Sequence, residues 1–241
     1  MPYYLKGNQI ELLKNGKEYF AAVIQSIKQA KQSIFVEAYI FSPDVTGEKI
    51  LVALKEAAKK GIEVYLLLDG FGSRDLSQKT IDEIKASHIR FLFYHPKISP
   101  YQMKRISLRR LHRKMFLMDH KVAFVGGINI IDDMNVPNGK APRIDYAARL
   151  RGPVVPLISR CMVKLWKRVS WSHLENSNIP KHTPKKYWNI LMAQNLILSS
   201  AIISAIGKIL KKLTYMQYKM PNMTYSLRML ILFLVKNLKG L

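Results

Sequence analysis

Between residues 16 and 94 the hydrophobic period of the chain switches repeatedly, and this rhythm constrains the fold more than any other feature. "GKEYFAAVIQSIKQAK" (16–31) spaces Phe20, Val23, Ile24 and Ile27 along one helical face. "QSIFVEAYIFS" (32–42) alternates and is rich in β-branched and aromatic residues, as a strand is. "TGEKILVALKEAAKKG" (46–61) is helical again, with Thr46 read as its N-cap and Gly61 as its stop. "IEVYLLLDGFGS" (62–73) is an apolar run ending in Asp-Gly, residues 77–87 form a helix capped by Ser77, and "IRFLFY" (89–94) is a strand. Near-continuous apolar strands alternating with helices predict an α/β fold with helices on both faces of a sheet. Ligands bind at strand ends in such sheets, which marks Asp69 and Gly70, although an ordinary Asp-Gly turn fits them equally well.

The next stretch is less regular. Residues 97–114 are a basic loop with Lys97, Lys104, Arg105, Arg109, Arg110, Arg113 and Lys114 and no acid. "LHRKMFLMD" and "KVAFVGG" read as two strands joined at Asp119–Lys121, "YAARLRG" (146–152) as another, and 154–169 as a helix despite Pro156. Strand alternation places His112, Lys114 and Phe116 on one face. An imidazole beside an ammonium, below a basic loop, suits attack on a phosphodiester. The neutral imidazole is the nucleophile, the lysine holds the phosphoryl oxygens, and neither metal nor cofactor is required. Gly126 and Gly127 would let backbone approach the phosphate, and Asn129 adds a neutral donor.

The order His112-x-Lys114, four residues, Asp119, six residues, Gly126-Gly127-x-Asn129 resembles the signature of the phospholipase D superfamily. Residues 15–47, "GIEVYLLLDGFGSRDLS" and "IDYAARLRGPVV" are similar to segments of the bacterial cardiolipin synthases within it. The resemblance covers about residues 8–170. It implies a phospholipase D-like α/β/α sandwich around a mixed sheet, a single lobe over 8–172 followed by a basic, apolar tail over 173–241. It also implies that His112 forms a phosphohistidine or acts as its acid/base counterpart, and that Lys114 and Asn129 bind phosphate. Asp119 is counted with the catalytic motif, chiefly to hold its geometry. Asp145 matches the acid that orients a histidine across the seam between two lobes, and Glu37 and Asp69 are weaker candidates near the pocket. The implied activity is phosphatidyl transfer between phosphatidylglycerol and an alcohol, at the cytoplasmic side of the bacterial cytoplasmic membrane and without a metal. The partners it implies are anionic phospholipid and the membrane surface.

That mechanism needs two histidines, one to attack phosphorus and one to protonate the leaving alkoxide. His120, His173 and His182 are not followed by lysine two residues on, and the full pattern of His-x-Lys, Asp and Gly-Gly-x-Asn occurs once in the chain of 241 residues. Two readings follow. The chain is a single-motif phosphodiesterase or nuclease completed by a homodimer, its net charge of +23 suiting nucleic acid. Alternatively, it is the first lobe of a two-motif enzyme whose reading frame has been lost.

Charge distribution bears on the choice. Residues 1–150 hold 24 Lys+Arg against 15 Asp+Glu, whereas 151–241 hold 15 against the single acid Glu175. Read one frame over, "MQYKMPNMTYS" (216–226) must give Ala for Met-Gln, Ala for Met-Pro and Asp for Met-Thr. The allowed translation repeats the I-x-x-A-K-x-x-I-F frame of residues 26–35, "SIKQAKQSIF", which favours the lost frame. A third reading is an inactive basic remnant that binds membranes. The uncharged stretch 187–207 is a poor transmembrane candidate because of Asn189, Gln194 and Asn195. The opening "MPYYLKGNQIELL" lacks the pattern of a signal peptide, and the lone Cys161 excludes an intramolecular disulfide.

Overall fold

The computed structural model describes residues 7–94, 110–136 and 142–173. Seven strands, β1 (Gln9–Lys14), β2 (Ser33–Ala38), β3 (Glu63–Leu68), β4 (Arg90–Phe93), β5 (Met115–Met118), β6 (Val122–Gly126) and β7 (Tyr146–Arg151), form one sheet in the order β1-β7-β6-β5-β2-β3-β4. β2, β3 and β4 are parallel, while β5, β6, β7 and β1 each run antiparallel to the preceding neighbour. The sheet is therefore mixed, as expected.

Helices α2 (Val45–Lys59) and α3 (Gln78–Ala86) are the crossovers of the parallel half, and α1 (Asn15–Gln29) leads from β1 to β2. They cover one face, packing Tyr19, Val23, Ile27, Ile50, Leu54 and Ile84 against Ile34, Val36, Leu66, Phe116 and Phe124. The other face is covered by α4 (Val155–Ser172), whose Ile158, Met162 and Trp166 meet Phe35, Tyr65, Leu117 and Val125. Every residue of β2 and β5 is buried, because both faces of the sheet's centre are covered. Pro156 lies in the first turn of α4, where its missing N–H has no intrahelical partner to lose.

The local reading needs three corrections. The N-cap of α2 is Asp44, whose Oδ1 accepts from Thr46 N (3.1 Å) and Gly47 N (3.0 Å), so Thr46 lies inside the helix. Strand β1 was not anticipated: QIELLK is half exposed and finds its partner only in β7, from Gln9↔Arg151 to Lys14↔Tyr146. The strand expected from Leu111 begins at Met115, and 110–114 approach it in irregular form. By contrast Ser77 caps α3 through Thr80 N (3.1 Å), and Gly61 stops α2 with φ of +83°. Most of the basic loop and all but the first residue of the tail, including 187–207, lie outside the described residues.

Candidate active site

His112 and Lys114 sit at the edge of the sheet where β2 and β3 end and β5 begins. His112 is exposed, whereas Lys114 is only 6% exposed. The Lys114 ammonium is 3.5 Å from both Nδ1 and Nε2 of His112. Equal distances exclude alignment with either ring lone pair, since a donor in line with one nitrogen would be much farther from the other. The lysine therefore brings its charge to the imidazole without capping either nitrogen in line. Tyr39, just past β2, backs both groups: its ring centroid is 4.9 Å from that of His112 and 5.2 Å from Lys114 Nζ. Sequence reading missed Tyr39, whose only signal was an aromatic residue at a strand end on the same edge.

Asn129 follows β6 to that same edge. Its Oδ1 accepts from Ile40 N (3.3 Å), and Ile130 bonds on either side through Ile130 N→Ile40 O (3.1 Å) and Ser42 N→Ile130 O (2.8 Å). The segment carrying Asn129 is thereby stitched to the one carrying Tyr39, with the side-chain oxygen committed and the amide nitrogen available to donate.

The glycine pair has a reason different from the one expected. A Cβ on Gly126 would come within 2.5 Å of Ala147 Cα, and one on Gly127 would collide with the Asp145 carboxylate. The space that side chains would occupy is filled by β7 and by the residue before it, rather than kept open for a phosphate. Asp145 itself accepts from Tyr146 N (2.7 Å), and its backbone exchanges bonds with Asn15, N–H to O at 2.9 Å and N–H to Oδ1 at 3.2 Å. It stands at the site's edge of the sheet, separated from His112 by β6.

Asp119 is not brought to the site. It opens the three-residue β5–β6 turn at the opposite end of β5, where Asp119 and His120 both take positive φ (50° and 55°) and Lys121 N donates to Met118 O (2.9 Å). Five residues of extended chain separate it from Lys114, about 17 Å. Its Oδ1 accepts from Gln32 N (2.8 Å) and Ser33 N (3.0 Å), and its Oδ2 from Lys31 N (2.9 Å). These three bonds tie the hairpin to the start of β2, so the motif's aspartate acts in the fold.

Asp69 and Glu37 flank the site from below. Asp69, 1% exposed, holds its own turn through Phe71 N and Gly72 N (both 3.0 Å) and pins Leu111 N at 2.7 Å, one residue before His112. Glu37 is buried in β2 and pairs with Arg113 at 3.3 Å. Burial pushes its carboxyl above the usual range, against the pull of Arg113. Two further acids secure the ends of the helices beside the site: Asp133 accepts from Gly16 N (2.8 Å) at the start of α1, and Asp44 from Asp132 N (2.9 Å).

Known proteins with these features are consistent with one another. Residues 23–139 match the family described as the cardiolipin synthase, PLD-like domain. The chain belongs to the phospholipase D superfamily. Within it the chain resembles the cardiolipin synthases: it is 36% identical over 183 residues to cardiolipin synthase B of Salmonella typhi, covering 76% of this chain and 41% of that one. It is 38% identical over 150 residues to cardiolipin synthase B of Escherichia coli, covering 62% of this chain and 36% of that one. The chain thus spans about two fifths of the length of these curated relatives. Among solved structures, NucT from Helicobacter pylori shares the fold at 17% identity and a TM-score of 0.51, covering 68% of this chain and 97% of that one.

Proposed function

We propose that this chain carries one half of a phosphatidyl-transfer site of the cardiolipin synthase type, with phosphatidylglycerol as substrate and the bacterial cytoplasmic membrane as its workplace, held there peripherally. The observation that carries this reading is the buried Lys114 ammonium 3.5 Å from both nitrogens of an exposed His112. A phosphodiester anion arriving at that edge meets a fixed cation beside an exposed imidazole. The likeness to the cardiolipin synthases supplies the substrate class.

In the first step a His112 ring nitrogen forms a bond to phosphorus and the bond from phosphorus to the glycerol headgroup oxygen breaks. The departing alkoxide takes a proton from the second acid/base group and leaves as glycerol. In the second step a headgroup hydroxyl of another phosphatidylglycerol gives its proton to that same second group, attacks phosphorus and displaces the histidine, which yields cardiolipin. Lys114 and the Asn129 amide hold the phosphoryl oxygens in both steps, and Asp145 orients the histidine of the second half. The second half comes from another lobe, encoded beyond a lost reading frame or supplied by a second copy of the chain.

The test is to incubate the protein with phosphatidylglycerol vesicles, alone and with a separately produced second lobe of a cardiolipin synthase B. Cardiolipin and glycerol are followed against a His112→Ala control. The expected result is product only when a second His-x-Lys motif is present and His112 is intact. Product undiminished in His112→Ala would overturn the reading, as would cleavage of oligonucleotides but not lipid.

A further inference from the structure

Seven large hydrophobic side chains are exposed among the described residues, and Phe71 is the one that two arginines surround. Phe71 is 47% exposed on the loop after β3, with the guanidinium carbon of Arg110 at 4.3 Å from its ring centroid and that of Arg74 at 5.1 Å. A single buried carboxylate fixes this group relative to the catalytic edge. Asp69 holds Phe71 N and Gly72 N through one oxygen and Leu111 N through the other, so Phe71, Arg110 and His112 are all placed by the same side chain. The loop is further tied to the site through Ser73, whose hydroxyl donates to Tyr39 O (3.2 Å) and accepts from Phe41 N (3.0 Å). An exposed aromatic held this firmly beside a reaction site, and ringed by cations, is built for contact.

We infer that Phe71, with Arg74 and Arg110, is the point at which the mouth of the site touches an anionic bilayer, the ring edge entering the headgroup region and the two guanidiniums binding lipid phosphates. The inference rests on the lipid reading of the site given above. Aromatic rings favour the boundary between headgroups and acyl chains, and guanidinium forks match phosphate oxygens. A nucleic acid fits less well, because Arg110 and Arg74 already occupy the π surface on which a base would stack. Docking here sets the surface of the bilayer within two residues of His112, so a lipid headgroup reaches the imidazole without leaving the membrane.

The full chain is labelled with an environment-sensitive dye at Phe71→Cys in a Cys161→Ser background, because binding by the basic tail would otherwise mask contact at this loop. A second protein carries the dye at Val52→Cys, an exposed position in α2. Vesicles of phosphatidylglycerol should shift the emission of the dye at residue 71 to the blue and leave that at residue 52 unchanged, and neutral phosphatidylcholine vesicles should shift neither. Replacing Arg74 and Arg110 by Gln should raise the vesicle concentration for half-maximal shift about fivefold per arginine. An unshifted dye at residue 71 on phosphatidylglycerol, an equal shift on neutral vesicles, or a shift with single-stranded oligonucleotides in place of vesicles would overturn the inference. The measurement needs no turnover: a chain that docks through residue 71 but yields no cardiolipin even with the second lobe present would uphold this inference and sink the preceding one.

Discussion

Arg113 and Glu37 form a 3.3 Å ion pair beside the catalytic edge of the sheet. The residue between the two motif side chains is thus an anchor that ties the approach to β5 onto β2. Glu37 is 3% exposed, and its Oε1 has no hydrogen-bond partner among the described residues. A buried pair of this kind adds little net stability compared with apolar side chains of the same size, so its value lies in where it fixes the backbone.

The charge on Glu37 has a pH signature. Burial raises its folded-state pKa above the unfolded value, despite Arg113, so the folded protein holds this proton more tightly than the unfolded one. The associated stability is fully present below the unfolded pKa and is lost as pH rises through the folded one. Urea midpoints of the wild type and Glu37→Gln should therefore converge or cross, the wild type gaining on the variant as pH is lowered from 7 toward about 4.5. A difference independent of pH would show that the carboxyl titrates normally.

Asp119 and His112 should separate cleanly when folding is measured apart from chemistry. Asp119→Ala removes the acceptor of three backbone N–H groups and places alanine at φ of 50°, which together should destabilise the lobe by about 3 kcal/mol. His112→Ala removes an exposed ring and should change stability by less than about 0.5 kcal/mol. Denaturant unfolding followed by circular dichroism measures both, and similar losses in the two variants would contradict the division of roles.

Tyr19 is fully buried in α1, edge-on to Phe116 (6.2 Å) and Phe124 (6.0 Å), and its hydroxyl has no hydrogen-bond partner among the described residues. Burial raises its pKa, with the Asp145 charge adding to the effect. Tyr19→Phe deletes a polar group that gains nothing from its position. The variant should be as stable as the wild type or up to about 1 kcal/mol more stable. A loss of more than 1 kcal/mol in thermal or urea unfolding would reveal a bond made by the hydroxyl.

Elements whose signals are local were legible in the sequence. The helices around Phe20, Leu54 and Ile81 and the strands around Val36 and Leu66 carry their periods within a dozen residues. So do Ser77 as cap and Gly61 as stop. What escaped was decided by distant partners. β1 is a half-polar segment that becomes a strand only against β7. Asp44 wins the cap of α2 over Thr46 because it also receives Asp132 N, 88 residues away. Asp69 looked like an ordinary turn residue, and the turn is real, yet its second oxygen holds Leu111. The motif was legible as a pattern, but the pattern does not say that Lys114 and Asp119 lie at opposite ends of β5.

The pairing of β1 with β7 has a consequence for synthesis. Gln9 meets Arg151, so β1 waits for β7, the last of the seven described strands to be made, before the sheet can close. At ordinary elongation rates the interval is roughly 7–30 s. During that time β1 stays unpaired, and each newly completed strand in turn forms an open edge able to capture another nascent chain. For this lobe, cellular yield should depend on how quickly the stretch from Gln9 to Arg151 is translated and on which chaperones attend it.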